Sequence, residues 1–145
     1  MEWIRDGFTI STEPAAVDRA AVAAALAETY WARGIPAETV YRSIDGSLCF
    51  SLRDASRQVG FARVVTDGAT VAYLGDVFVL PEFQGRGLGQ WLVECVMAHP
   101  QLQGMRRWML VTADAHSLYE KFGFKTLARP EFFMELHNPN VYRKP

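Results

Sequence analysis

Residues Gln84-Gly85-Arg86-Gly87-Leu88-Gly89 stand between an apolar run and a segment of helical period. Three glycines at alternate positions let the main chain approach a ligand with no Cβ in the way. The helix expected to follow turns its unpaired N–H groups, and the positive end of its dipole, towards the same place. A helix start of this kind is an anion site, and the usual anion is phosphate. Two phosphate loops fail on spacing. A Walker loop needs Gly-x-x-x-x-Gly-Lys-Ser/Thr, but Gln90 and Trp91 occupy the places of its second glycine and its lysine. A dinucleotide fingerprint needs Gly-x-Gly-x-x-Gly, and Gln90 again replaces the last glycine. It also needs a strand ending in an acid about twenty residues on, where this chain reads His99-Pro100-Gln101-Leu102-Gln103-Gly104. The pattern that remains is Gln-x-x-Gly-x-Gly. Its plain alternative is a glycine-rich turn with no ligand.

The elements that must position this loop follow from pattern. A strand is expected over Phe8 to Ser11. A helix with Pro14 in its first turn, capped by Thr12 or Ser11, should run from Ala15 to Tyr30 and end at Gly34, with a second over Ala37 to Ile44. The period then changes to two, giving strands over Ser47 to Leu52, Gln58 to Thr66 and Thr70 to Leu80, joined by hairpin turns. After the loop, Leu88, Trp91, Leu92, Cys95 and Val96 form one apolar helical stripe that His99-Pro100 ends. Arg107 to Thr112 is a strand reached through that helical crossover, so it should lie parallel to the strand ending at Leu80. Asp114 can cap a helix over Ala115 to Phe122, with Gly123 stopping it, and Phe132 to Leu136 offers a last strand. The fold class is α/β of the α+β type: a mostly antiparallel sheet with one parallel pair in its middle, flanked by helices.

One domain spanning 1–145 suits this length. A hydrophobic half and 21% charged residues fit a packed globule. The formal net charge of −1 gives no general attraction to nucleic acid or to anionic membranes. Cys49 and Cys95 have no metal-ligand spacing and make no disulfide framework. With neither a signal pattern at the N-terminus nor a run of roughly twenty apolar residues, a cytoplasmic protein is expected. His99, His116 and His137 are scattered, so no metal site is expected.

The glycine loop resembles the pyrophosphate loop of the GNAT superfamily, the acetyl-CoA-dependent N-acetyltransferases. Asp76-Val77-Phe78-Val79-Leu80-Pro81 leads into it as in that family. Leu118-Tyr119-Glu120-Lys121-Phe122-Gly123-Phe124 looks like the family's Tyr-x-x-x-Gly-Phe signature. The resemblance covers most of the chain and is strongest from Val59 to Phe124. It implies two central parallel strands that splay apart to admit acyl-CoA, with the strand segment Val77, Phe78 and Val79 alongside the pantetheine arm. It implies that the N–H groups of Arg86, Gly87, Leu88 and Gly89 hold the pyrophosphate, behind Gly85. Gln84 and Arg86 can add side-chain contacts, although Arg86 reads equally as a solvated charge. Thr112 stands where many members carry a cofactor-contacting Asn, and still offers a hydroxyl.

Acyl transfer to an amine needs a neutral amine, a polarised thioester carbonyl and a proton for the leaving thiolate. Tyr119 is the candidate acid; the alternative is a packed aromatic whose hydroxyl is tied to backbone. A phenol at about 10 facing a thiol at about 8.5 makes the transfer uphill by about 2 kcal/mol, so Tyr119 should chiefly donate a hydrogen bond. In the family's geometry a main-chain N–H near Val79 polarises the carbonyl. Asp76 shares a strand face with Leu74 and Phe78 and can serve as base or amine anchor; a structural acid at a bulge beside Gly75 is the alternative. His116 is a second candidate base, and a water chain a third. Tyr30, Trp31 and Arg33, with Tyr41, Phe132, Phe133 and Met134, are candidates for the acceptor wall or simply for core. Arg33 would favour an acceptor bearing a carboxylate. The acceptor is a small-molecule or peptide amine, and a non-catalytic acyl-CoA-binding module stays open. A homodimer is compatible with the chain, but no residue assigns it.

Overall fold

The computed structural model describes residues 1–143. Six strands form one sheet in chain order: β1 (Glu2–Arg5), β2 (Phe8–Ser11), β3 (Leu48–Asp54), β4 (Arg57–Thr66), β5 (Val71–Val79) and β6 (Arg107–Met109). All neighbours pair antiparallel except β5 and β6, which are parallel. Five of the six expected strands form, the one from Arg107 ending at Met109 rather than Thr112, with an additional β1 paired to β2 around the turn Asp6-Gly7. Both turn residues have positive φ (51° and 83°), which matches a two-residue hairpin to the twist of its strands. Asp67 shapes the β4–β5 turn by accepting from the N–H groups of Ala69 and Thr70 at 2.9 and 2.8 Å.

Helices α1 (Arg19–Ala27) and α2 (Ala37–Asp45) cover one face of the sheet, and α3 (Leu88–Ala98) and α4 (His116–Glu120) the other. Val22, Leu26, Val40 and Ile44 pack on Phe61 and Phe78. On the opposite face Leu92 and Val96 pack with Phe50, Leu52, Val59, Val64 and Leu74. Cys49 and Cys95 are free and buried, one in each core.

Several boundaries differ from the sequence reading. Pro14 opens a 3₁₀ turn (Pro14–Ala16), and the α-helix starts afresh after Asp18, whose carboxylate accepts from the Ala21 N–H at 3.1 Å. Ser11 instead caps the turn, accepting from the Glu13 N–H. The helix ends at Ala27, so Tyr30 lies in the loop before Gly34 rather than on α1. Helix α4 has no side-chain cap, from Asp114 or any other residue; Thr112 instead shapes the turn before it, its hydroxyl accepting from the N–H groups of Asp114 and Ala115. Gly123, at φ +91°, stops the turn after α4 as expected. The segment Phe132 to Leu136 is not a strand: Pro130 begins a 3₁₀ turn (Pro130–Phe132), and among the described residues those that follow pair with no strand. For the same reason the parallel pair sits at the edge of the sheet rather than in its middle.

Candidate active site

Strand β6 pairs with β5 over three residues, Val71–Tyr73 against Arg107–Met109, and the partnership stops there. Strand β5 continues to Val79 with its β6 side bare. The Leu80 N–H donates to the Val59 carbonyl at 2.8 Å, so by strand alternation the main-chain groups of Val77 and Val79 face away from β4, into the splay. Phe78 lies opposite Phe61 of β4, the two rings tilted at 33° with their centroids 6.1 Å apart. Gln84 arches back, its Nε2 donating to the Val79 carbonyl at 2.9 Å.

The glycine loop follows. Gly85 and Gly87 adopt φ +80° and +75°, and a Cβ on either would meet nothing, so their requirement is conformational and not steric. Gly87 is the N-cap of α3 and supplies no side-chain cap. Among the described residues, the N–H groups of Arg86, Gly87, Leu88, Gly89 and Gln90 have no protein partner, and the first helical bond runs from Trp91 to Gly87. This fan of free donors lies at the positive end of an 11-residue helix. A cavity of about 580 Å³ adjoins it, between α3 and the β1–β2 turn. Two guanidinium groups flank it: Arg86, seated over the Phe83 ring at 5.3 Å, and Arg5, over the Trp91 ring at 4.8 Å. Arg5 went unseen in the sequence because β1 did; once β1 pairs with β2, their turn delivers it to the loop.

Asp76 sits in a bulge. Phe61 opposes Phe78 and Arg63 opposes Gly75, leaving Asp76 and Val77 against Ala62 alone. Asp76 takes φ +53°, a left-handed conformation tolerated by Asp better than by most residues. The extra residue reverses the alternation, so Leu74 joins the α3 core while Phe78 joins the α1–α2 core. The shared face expected for Leu74, Asp76 and Phe78 is therefore broken between Leu74 and Asp76. Both Asp76 carboxylate oxygens accept at 2.9 Å, Oδ2 from Arg63 Nε and Oδ1 from Trp31 Nε1. Arg63 also donates to Ser47 Oγ at 3.1 Å, and both members of the ion pair are largely buried.

Tyr30 and Trp31 tie the two lips of the splay together. Trp31 reaches β5 at Asp76, while the Tyr30 hydroxyl accepts from the Ala113 N–H at 3.0 Å, beyond β6 and just before α4. Their rings meet edge to face at 5.0 Å, and each remains about half exposed (51% and 45%). The strap that carries them is braced by bonds from Ala32 N–H to Thr29 Oγ1 and from Gly34 N–H to the Ala27 carbonyl. Arg33, on the same strap, is exposed and has no partner among the described residues.

Tyr119 is buried in the second turn of α4, its ring 6.0 Å from that of Phe124. Its hydroxyl has no hydrogen-bond partner among the described residues, so the packed-and-tied alternative does not describe it. Burial first, then the neighbouring Tyr30 and Asp114, push the phenol up to about 12. It lines a cavity of about 610 Å³ with Leu110, Thr112 and His116. The described residues hold no cluster of His, Cys, Asp or Glu suited to a metal, and no helix long and apolar enough to cross a membrane.

A splayed parallel pair, an uncapped helix behind a glycine loop, and a tyrosine after the second strand are the three features that the sequence resemblance implies together. The chain matches the Acetyltransferase (GNAT) domain family over residues 45–126. It is 36% identical over 142 residues to a candidate acetyltransferase of Gibberella zeae, covering 82% of this chain and 79% of that one. Its fold superposes with TM-score 0.92 on a candidate GNAT-family acetyltransferase from Xanthomonas campestris pv. campestris, at 48% identity over 94% of this chain and 97% of that one. A GNAT-family acetyltransferase from Elizabethkingia anophelis, solved with acetyl-CoA bound, shares the fold at TM-score 0.62 and 15% identity, over 83% of this chain and 78% of that one. The chain belongs to the GNAT acetyltransferase family.

Proposed function

We propose that the protein transfers an acetyl group from acetyl-CoA to the primary amine of a small molecule, by direct attack in a ternary complex. The observation that carries this reading is the bare β5 edge running from Leu74 to Val79 into an uncapped α3, with a free tyrosine hydroxyl across the splay. The residues fit the donor. The main-chain groups of Val77 and Val79 can pair with the amides of a pantetheine arm. The N–H groups of Arg86 to Gly89 can hold a pyrophosphate, with Arg86 and Arg5 adding positive charge. Thr112 accepts through its lone pairs in the turn before α4, which leaves its hydroxyl proton to give.

The thioester supplies an activated carbonyl. The amine nitrogen bonds to that carbon as the C–S bond breaks, and the thiolate ends with a proton. With Tyr119 near 12 and a thiol at about 8.5, full transfer from the phenol is uphill by about 5 kcal/mol. Tyr119 therefore acts by donating a hydrogen bond to sulfur as charge develops, and the amine's own proton, leaving through water, balances the step. Asp76 has both oxygens engaged, so its role in this reading is to hold Arg63 and the Trp31 strap in place rather than to take the proton. The exposed faces of Tyr30 and Trp31 wall the acceptor, and Arg33 beside them suits an acceptor that carries a carboxylate.

Thiol release from acetyl-CoA, followed across an amine library and a peptide array, tests this. Amine-dependent release with small acceptors supports the reading. Acetylation confined to peptides overturns the small-molecule acceptor, and tight acetyl-CoA binding with no turnover overturns the enzyme.

A further inference from the structure

We propose that Tyr30 is a positioning residue for Tyr119: its hydroxyl, bonded to the turn that launches α4, holds that helix at a set distance from β5 and so fixes the width of the splay. Strand β6 pairs with β5 only as far as Met109, and the chain beyond it pairs with no strand among the described residues. Helix α4 is five residues long and has no side-chain cap. Leu118 and Tyr119 pack it on the core, but apolar contact is non-directional and leaves the helix free to slide. Direction comes from hydrogen bonds in the turn before it. Thr112 Oγ1 accepts from the N–H groups of Asp114 and Ala115, which shapes the turn within itself. The Ala113 N–H between them donates instead to the Tyr30 hydroxyl at 3.0 Å, and so joins the turn to the strap. Two residues on, the Ala115 carbonyl accepts from the N–H groups of Leu118 and Tyr119 at 3.1 and 3.4 Å. Whatever holds Ala113 therefore holds the turn of helix that carries Tyr119.

The other end of this tie is anchored in the sheet. Trp31, next to Tyr30, donates from Nε1 to Asp76 at 2.9 Å, and Arg63 of β4 donates to the second oxygen of that carboxylate at the same distance. The rings of Tyr30 and Trp31 meet edge to face at 5.0 Å, which couples the two anchors. A path thus runs from Arg63 through Asp76, Trp31 and Tyr30 to Ala113, crossing from one lip of the splay to the other. Its β5 end has an ionised acceptor and its α4 end a neutral one, so Tyr30 to Ala113 is the weaker joint. Behind burial, Tyr30 is the next cause of the upward push on the Tyr119 phenol, which marks the two residues as neighbours. The consequence for turnover rests on the acetyl-transfer reading: the thioester then lies along β5, and the tie sets its separation from Tyr119 on the opposite lip.

Tyr30→Phe keeps the ring against Trp31 and removes the acceptor of the Ala113 N–H. Amide hydrogen exchange of the ligand-free protein, followed by nuclear magnetic resonance, reads the tie without turnover. The Ala113 amide should exchange at least about tenfold faster, with Leu118 and Tyr119 following. With acetyl-CoA and the most active primary amine of a library, kcat should fall about ten- to a hundredfold, the cost of a misplaced group. Acetyl-CoA affinity and the acceptor KM should change less than about twofold, because neither binding surface is removed. Trp31→Phe, which cuts the tie at Asp76, should reproduce the faster exchange and the lower kcat. In a Tyr119→Phe background Tyr30→Phe should lower kcat no further, since its effect passes through the missing hydroxyl. Unchanged exchange at Ala113 overturns the proposal. So does a raised acceptor KM with kcat intact, or a loss that adds in the double variant, either of which leaves Tyr30 as a wall of the acceptor site. If Tyr119→Phe alone keeps full kcat, the acid role fails, and the tie stands or falls by the exchange data.

Discussion

Gly87→Ala tests the glycine loop in the phosphate-binding role proposed for it. At φ +75° an added Cβ meets no neighbour, so the whole effect is conformational. An L-residue held in the left-handed region costs about 1–2 kcal/mol. If the loop keeps its geometry, the melting temperature of a chain this size falls by about 2–8 °C. If it relaxes instead, the cost moves to binding, because the fan of N–H groups must be rebuilt, and affinity for acetyl-CoA falls about five- to thirtyfold. Gly68→Ala is the matched control. It has φ +75° and the same open surroundings, but it sits in the β4–β5 turn, away from the loop. Calorimetric titration with acetyl-CoA and denaturant unfolding of both variants give the readout. Gly68→Ala should lose stability and keep its affinity, whereas Gly87→Ala should lose affinity. A Gly87→Ala variant that keeps both the stability and the acetyl-CoA affinity of the wild type, its loop having relaxed at no cost to binding, would refute the loop as the donor's phosphate cradle.

Tyr119→Phe should lower kcat on the order of 10²-fold with acetyl-CoA affinity unchanged, read by steady-state kinetics beside titration; an unaltered kcat removes Tyr119 from the chemistry. Asp76→Ala leaves the largely buried Arg63 guanidinium without its partner and should cost about 3 kcal/mol, while the double variant with Arg63→Met should recover much of that loss in a denaturant cycle. Additive losses would mean that the pair is not coupled. His99 is packed against Trp3 and Phe50, and burial holds its imidazole below the usual value. The unfolded chain therefore takes up a proton as pH falls through about 6.5 while the folded chain stays neutral, so stability declines from there downward to the folded value. His99→Asn, which keeps an acceptor for the Gln101 N–H, should flatten that slope between pH 7.5 and 5.5 in thermal melts; an unchanged slope assigns the decline to other groups.

The sheet and the loop were legible because their signals are local. Period-two runs delivered β2 to β5, the apolar stripe delivered α3, and the spacing of Gly85, Gly87 and Gly89 marked the loop whose N–H groups stand free before α3. The alanine-rich stretch before Tyr30 shows the opposite case: it favours helix throughout, so only the Asp18 cap and the 3₁₀ turn at Pro14 set the real start. The bulge at Asp76 inserts one residue and moves every later side chain of β5 to the other face, which alternation cannot foresee without the partner strand. The Tyr30 and Trp31 bonds join residues 83 and 45 positions apart, and no local pattern carries them. Phe132 to Leu136 has a strand's pattern without a strand's partner in the chain, because pattern specifies a face and not who pairs with it.

The central claim is turnover of acetyl-CoA at the splay between β5 and β6. Purified protein incubated with acetyl-CoA and a panel of primary amines, with free thiol and acetylated amine measured together, tests it most directly. The account predicts stoichiometric appearance of both, dependent on the amine and sharply reduced in Tyr119→Phe. Acetyl-CoA bound by the protein, with no thiol released under any amine, would contradict it.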